Sequence, residues 1–378
     1  MADLSVQVVR TPLELAALAP AWATLHAQGC PNPFAHPAWL LPWAARWVAP
    51  GALRVLAVRR GEELVAVAPL HEDRGLRGTR VLRALGTGPE SALVELPQIV
   101  TGPDPRRAVR AVVAWAWERA DALSWIELPL APDQGWVEPA WLAGGPDGPG
   151  TVVHKAVRAC VVEPLPDTVE AWHATRKRNL RESLRRARNR LGRTGLPWSV
   201  EVHEGPDAVA ALPTLLALHA ARAALPGKVH HPGRFDDPAA AAFLRDAVAG
   251  LAAAGAVELH VLRVGDEAAA ARLVLRAPGA IYLAWSGVAP QWWELSGVTL
   301  LTATAIERAI ARGDRVANVG AGPDTAKLRF SERLEVHHEF LIGGTGRAAR
   351  MTFGAYLGAR ALADLRRARA AVRTVPAA

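Results

Sequence analysis

The sequence predicts an α/β protein: a tandem pair of like domains, each a mixed β-sheet flanked by helices. Two observations predict it. One is an internal repeat whose period is about half the chain. The other is the order of strand and helix patterns in the second copy.

The repeat has two parts. "LSVQVVRTPLELAALAPAWATLHA", from Leu4, resembles "WSVEVHEGPDAVAALPTLLALHA", from Trp198. Each reads as a short alternating strand, a polar break and an apolar helix ending in Leu-His-Ala. Further on, "LRVLAVRRGEELVAVAPL", from Leu53, resembles "LHVLRVGDEAAAARLVL", from Leu259. Each pairs two strands around a Gly-acid turn, Gly61-Glu62 and Gly265-Asp266, which is a hairpin pattern. The same units in the same order imply a duplication.

The second copy gives the clearer element order. Val200–His203 reads as a strand, and Ala208–Arg222 and Pro238–Ala254 as helices. Val257–Val264, Ala269–Arg276 and Ala280–Ser286 form a three-strand meander. Gly297–Arg312 is an apolar helix, Arg315–Val319 a short strand and Leu334–Ile342 a last strand. The step from Ala280–Ser286 through the helix to Arg315–Val319 is a βαβ crossover, so the sheet is mixed. The expected division is residues 1–155, residues 156–345 carrying the donor site, and a helix and tail over 346–378. "LGTGPESALVELPQIVTGPDPRRAV" holds glycines but no comparable strand-loop-helix junction. The first domain is therefore expected to be mainly structural and to form one wall of an acceptor cleft.

Composition narrows the class. The 378 residues are 51% hydrophobic and 21% charged, as in a globular protein. The formal net charge is +8, with 40 Arg against four Lys (Lys155, Lys177, Lys228 and Lys327). That bias marks a compositional habit as much as an anionic partner. Two separated cysteines, Cys30 and Cys160, exclude a disulfide scaffold and a thiolate zinc site. "MADLSVQVVR" has no apolar signal core, and no apolar run approaches the roughly 18–20 residues of a membrane span. A soluble, cytoplasmic protein is the expectation.

The segment "YLAWSGVAPQWWELSGVTLLTATAIERAI" carries the most chemistry. A strand ends near Trp285, a polar loop follows, and Ser296-Gly297 opens a helix. A helix start offers free N–H groups and a positive dipole end, and a Gly there lets an anion come close. A Ser N-cap followed by Gly also occurs with no ligand, so both readings stay open. "RVANVGAGPDTAKLRFSERLEV" follows: a Gly-rich turn leaving a strand, then Asp324 and Lys327. It has no Gly-Lys pair and is not a P-loop.

These residues resemble the CelD/BcsL-type acetyltransferases, a branch of the GNAT superfamily related to the FemAB-like aminoacyl transferases. The resemblance spans roughly residues 1–345. It rests on "NPFAHPAWLLPW", on "VAVAPL" with "LRALGTG", on "RKRNLRESLRRARNRL", and on "ELSGVTLL" with "NVGAGPDTAK", in that order. It implies two GNAT-like domains and direct attack of an amine on a thioester, helped by positioning, proton removal and oxyanion stabilisation. It also implies acetyl-CoA or another acyl-CoA as co-substrate, no metal, and donor contacts at Ser286, Gly287, Ser296, Gly297, Val298 and Asn318. Catalytic candidates are Lys327, Asp324, Glu294 and His337. His337 and His338 are adjacent on a strand, so only one can enter a given cleft. Substrate contacts are expected at Trp285, Arg178, Arg181 and Arg222. Two features depart from the family: Thr299 stands where the second Gly of the usual pyrophosphate signature would be, and Asn318 stands where many relatives have Asp.

The basic run Arg176–Arg193 carries nine basic side chains and one acid, Glu182. Leu180, Leu184, Ala187 and Leu191 form a narrow apolar stripe, with the arginines off it. No aromatics interleave and no DNA-binding motif surrounds it, so sequence-specific DNA binding is not expected. An anionic contact is: CoA phosphates, a phosphorylated or sugar-nucleotide acceptor, or tRNA. Three functions follow: an acyl-CoA-dependent N-acyltransferase acting on a small amine or amino sugar, an aminoacyl-tRNA-dependent transferase, or a non-catalytic accessory of the same fold. His230-His231 reads as loop, with a metal site as its sharper alternative.

Overall fold

The computed structural model describes residues 4–75, 78–88, 93–120, 122–131, 134, 137–142, 151–225 and 232–373; His230 and His231 lie outside them. The first half runs β1 (Leu4–Val9), α1 (Pro12–Ala27), α2 (Pro37–Trp47), β2 (Val55–Arg60), β3 (Glu63–Ala68), β4 (Leu70–Arg74) and β5 (Arg80–Ala84). It continues with β6 (Val100–Thr101), α3 (Pro105–Trp117), β7 (Trp125–Leu130) and α4 (Pro139–Leu142). A long strand, β8 (Val152–Pro164), leads into α5 (Val169–Thr175) and α6 (Arg178–Arg193). The second half then runs β9 (Trp198–Glu204), α7 (Gly205–Ala223), α8 (Pro238–Ala253), β10 (Val257–Val264), β11 (Glu267–Ala277) and β12 (Ala280–Val288). It closes with α9 (Gly297–Arg312), β13 (Val316–Ala321), α10 (Thr325–Leu328), β14 (Leu334–Gly343) and α11 (Arg347–Arg373).

The duplication is visible in detail. β1-β2-β3 and β9-β10-β11 are the same antiparallel arrangement. Both hairpins turn on a glycine with positive φ, Gly61 at 58° and Gly265 at 57°. Both also carry a register break three residues earlier, after Val58 and after Leu262. Such a break bends and twists a strand, so each copy curves at the same place. The Leu-His-Ala helix ends match too: His26 and His219 are both buried, each bonded to a backbone carbonyl, of Asn32 and Ser286 respectively.

Among the described residues the strands make a four-stranded sheet, β1-β2-β3-β6, and a ten-stranded one, β4-β5-β7-β14-β8-β13-β12-β11-β10-β9. The larger sheet joins the halves, because β14 from the end of the chain lies between β7 and β8, antiparallel to both. The boundary expected at 155/156 falls inside β8, in the middle of this sheet. An aromatic cluster also spans the halves: Trp39 of α2 stacks on Trp285 of β12 at 5.6 Å, with Phe34 and Phe243 edge-on to Trp39. These rings are almost fully buried and fix one half against the other.

Candidate functional site

The site begins where two parallel strands part. After the α9 crossover, β13 pairs with β12 only over Ala280–Tyr282 and Val316–Asn318. Beyond that point each strand is bulged. In β12, Ser286 pairs with Arg272 and Leu283 with Val274, so Ala284 and Trp285 together oppose one residue. In β13, Asn318 and Gly320 pair with the neighbouring residues Val162 and Val161. Gly320, at φ 106°, allows this second bend, and its N–H is held by Asn318 Oδ1 at 2.9 Å. The strands diverge into a cavity of about 360 Å³ running from the first turns of α9 to the first half of the chain.

Of the expected residues, Trp285, Ser286, Val298, Arg222, Asp324 and Lys327 line this cavity. Arg222 arrives through helix packing. His219 Nδ1 donates to Ser286 O, docking the end of α7 on β12, and one turn later Arg222 Nη1 donates to Ser286 Oγ at 2.7 Å. Lys327 Nζ donates to the carbonyls of Ala321 (2.5 Å) and Gly322 (3.0 Å) and lies 3.4 Å from Asp324 Oδ2. Asp324 caps α10 by accepting from Lys327 N at 2.9 Å. Burial pushes the Asp324 carboxyl up, but that N–H and the Lys327 ammonium outweigh it and hold the group below its usual range. It is therefore an ionised, weakly basic carboxylate.

Residues not anticipated complete the lining: Glu95 from the first half, Arg234 and Arg272 from the second, and Thr299 and Thr302 of α9. Glu95 accepts from Tyr282 Oη at 2.5 Å and from Ala321 N at 3.4 Å. Burial, then the Glu95 charge, holds the Tyr282 phenol well above its usual range, so it stays an O–H donor. Arg272 is 7% exposed, and Nη2 donates to Leu283 O at 3.0 Å. Nothing local in the sequence marks Glu95, which meets Tyr282 from 187 residues away. Arg272 did carry a signal: a lone guanidinium in the apolar strand "AAAARLVL".

The other expected residues lie elsewhere. Gly287 is a packing glycine, since a Cβ there would fall 2.4 Å from His219 N and Leu218 C. Gly297 is buried against β10 and β11, where a Cβ would meet Leu262 and Ala270 at 2.9 Å, so its missing side chain serves sheet packing rather than ligand approach. Ser296 stands at the N-cap of α9 but makes no side-chain cap; its backbone is left-handed at φ 58°, the only non-glycine with positive φ among the described residues. Such a conformation costs a non-glycine residue on the order of 1 kcal/mol. The first-turn N–H groups at 297 and 298 still lack intrahelical acceptors, as at any helix start.

Asn318 and His337 line a second cavity of about 350 Å³ between the two halves. His337 is 7% exposed with neither ring nitrogen hydrogen-bonded, and burial, then the Arg158 and His338 charges, pull its pKa down to about 4. His338 faces the other way, bonded to His154 at 3.1 Å. Glu294 is exposed beside α6, its carbonyl accepting from Arg190. Arg178 is paired with Glu182 at 2.6 Å, and Arg178 and Arg181 both face solvent away from the cavity lining. Among the described residues no cluster of three His, Cys, Asp or Glu side chains could hold a metal, and no helix is long and apolar enough to cross a membrane.

Residues 178–328, which contain α6 and the splayed strands, match the family model described as Acetyltransferase (GNAT) domain. The chain is similar in structure to FemX, at TM-score 0.60 and 12% identity, covering 89% of this chain and 96% of that one. It is similar to the C-terminal domain of a putative lysylphosphatidylglycerol synthetase from Agrobacterium fabrum, at TM-score 0.54 and 12% identity, covering 91% and 96%. A tandem GNAT protein from the clavulanic acid biosynthesis pathway matches at TM-score 0.45 and 14% identity, covering 91% and 99%. No curated protein matches by sequence. The matched segment has a GNAT domain's sequence pattern, and the chain shares the fold of FemX. The class indicated by the matched segment is acyltransferase.

Proposed function

We propose that the chain is an N-acyltransferase of the CelD/BcsL type, taking an acetyl or other acyl group from acyl-CoA and delivering it to the amine of a small molecule or amino sugar. The observation that carries this reading is the splay of β12 from β13, which opens a cavity reaching the first turns of α9. The α9 start, with its free N–H groups and dipole, suits the donor's phosphates, and the splay suits the arm that ends in the thioester.

The amine approaches from the side of Trp285 and Glu95. Its nitrogen forms a bond to the thioester carbon, the carbonyl electrons move to oxygen, and on collapse the C–S bond breaks. The amine's proton passes to the Glu95 carboxylate, which Tyr282 and Ala321 N hold in place. The departing thiolate takes up a proton from solvent, and Glu95 returns its own to solvent, so the balance closes. Lys327, fixed by two carbonyls, supplies positive charge near the developing oxyanion.

A second reading, an aminoacyl-tRNA donor, is favoured by one observation. The exposed arginines of α6 lie beside the turn before α9, joined to it by the Arg190–Glu294 bond. Calorimetric titration with acetyl-CoA separates the two. Saturable binding is expected, weakened at least tenfold by Thr299→Glu, which puts a carboxylate in the cavity while suiting a helix start. No acetyl-CoA binding, together with tRNA binding that falls steeply with salt, would favour the second reading.

A further inference from the structure

The charge balance of the cavity is unequal. Arg222, Arg234, Arg272 and Lys327 line it against two carboxylates, Glu95 and Asp324. Both carboxylates are already engaged, Glu95 by Tyr282 and Asp324 by Lys327. Lys327 is satisfied by carbonyls, and Arg234 is exposed at the mouth. That leaves Arg222 and Arg272.

Arg272 is 7% exposed, uses Nη2 on a carbonyl, and has an Nε with no partner. Arg222 is half-buried and makes one neutral bond, to Ser286 Oγ. Among the described residues no carboxylate lies within ion-pair distance of either guanidinium. Burial, and then the Arg222 charge, pull the Arg272 pKa down to about 10, with the Tyr282 and Glu95 groups opposing them only in part. A buried cation with an open donor is costly, and the planar guanidinium fork matches carboxylate and phosphate oxygens.

We propose that the cavity holds an oxyanion group of the bound substrate, a carboxylate or a phosphate, on Arg272 and Arg222. With Glu95 in the same cavity, an acceptor of this kind would be an amine carrying its own acidic group. The inference deepens the acyltransfer reading above, but its first test does not depend on it.

Isothermal titration with inorganic phosphate and with malonate, at constant ionic strength, provides that test. Saturable binding of at least one probe is expected in the wild type. Arg222→Gln should weaken it at least tenfold, as should Arg272→Gln, whereas Arg245→Gln on the exposed side of α8 should not. Arg272 lies inside the sheet; if its variant does not fold, Arg222→Gln decides alone. No saturable binding, or equal binding by Arg222→Gln, overturns the proposal. Repeating the titration with acetyl-CoA saturating identifies the source: persistence marks an acceptor group, and displacement marks a donor phosphate. Failure of acetyl-CoA to bind would count against the donor reading and leave the oxyanion result intact.

Discussion

Glu95 and Arg272 show how a site is assembled from residues with little sequence signature. Glu95 belongs to the first half of the chain, whose own parallel crossover runs from β5 through α3 to β7 against the sequence expectation. Its carboxylate nevertheless faces Tyr282 and Ala321 in the other half. If it accepts the amine proton, Glu95→Gln should lower kcat by roughly 10²–10⁴-fold and leave acetyl-CoA affinity unchanged, since a positioned base contributes about that much. Steady-state kinetics beside calorimetry check this; an unchanged kcat would move the role elsewhere in the cavity. Trp285, Ser286, Val298, Asp324 and Lys327 could be picked out because they flank the strand-loop-helix junctions that the sequence marks, whereas Arg222 stands in the last turn of α7 and reaches the cavity by helix packing. Glu95 could not, because contact order hides it. Gly287 and Gly297 look like ligand glycines in sequence, but the structure gives each a packing role.

The elements of the second half follow the sequence closely: β10 and α9 occupy the predicted spans, and the meander and crossover are as patterned. Periodicity and glycine turns suffice for that. What periodicity does not encode is the pair of bulges, because one inserted residue leaves the local apolar pattern almost intact. Those bulges, not the helix start alone, create the cavity. The α7–β12 contact is tight enough to test. Gly287→Ala would drive a methyl into the α7 backbone at 2.4 Å and should cost about 1–3 kcal/mol by overpacking. A lowered urea midpoint would show it, together with weaker retention of whatever ligand Arg222 holds. An unchanged midpoint would mean that α7 shifts freely.

Across the whole molecule, the two halves share a sheet and an aromatic core, so they are built as one unit around the cleft. Burial also keeps many histidines neutral: His26, His36, His71, His219, His260 and His337 all have lowered pKa values, with burial the first cause in each. For His36, His71 and His337 the folded value is about 4, against 6.5 for a free side chain. Between those values the unfolded chain binds more protons than the folded one, so stability should rise with pH from about 4 to 6.5. Glu258 acts in the same direction at lower pH. It is fully buried, bonded to His260 at 2.8 Å and Arg312 at 2.5 Å, with a folded pKa of about 2. Burial raises that value, and the His260 bond and the arginines lower it further, so its contribution is present above pH 4.5 and lost as pH falls towards 2. Urea midpoints measured from pH 4 to 7.5 should climb to about pH 7, and a flat profile would contradict this picture.

In the proposed reaction the donor enters between the parted strands of β12 and β13. Hydrogen exchange read by mass spectrometry, with and without saturating acetyl-CoA, tests it most directly. Protection is predicted over residues 283–288 of β12, the first turns of α9, and the segment from Val319 to Leu328. Protection confined to α6 or to the cavity around His337, or none at all, would contradict it.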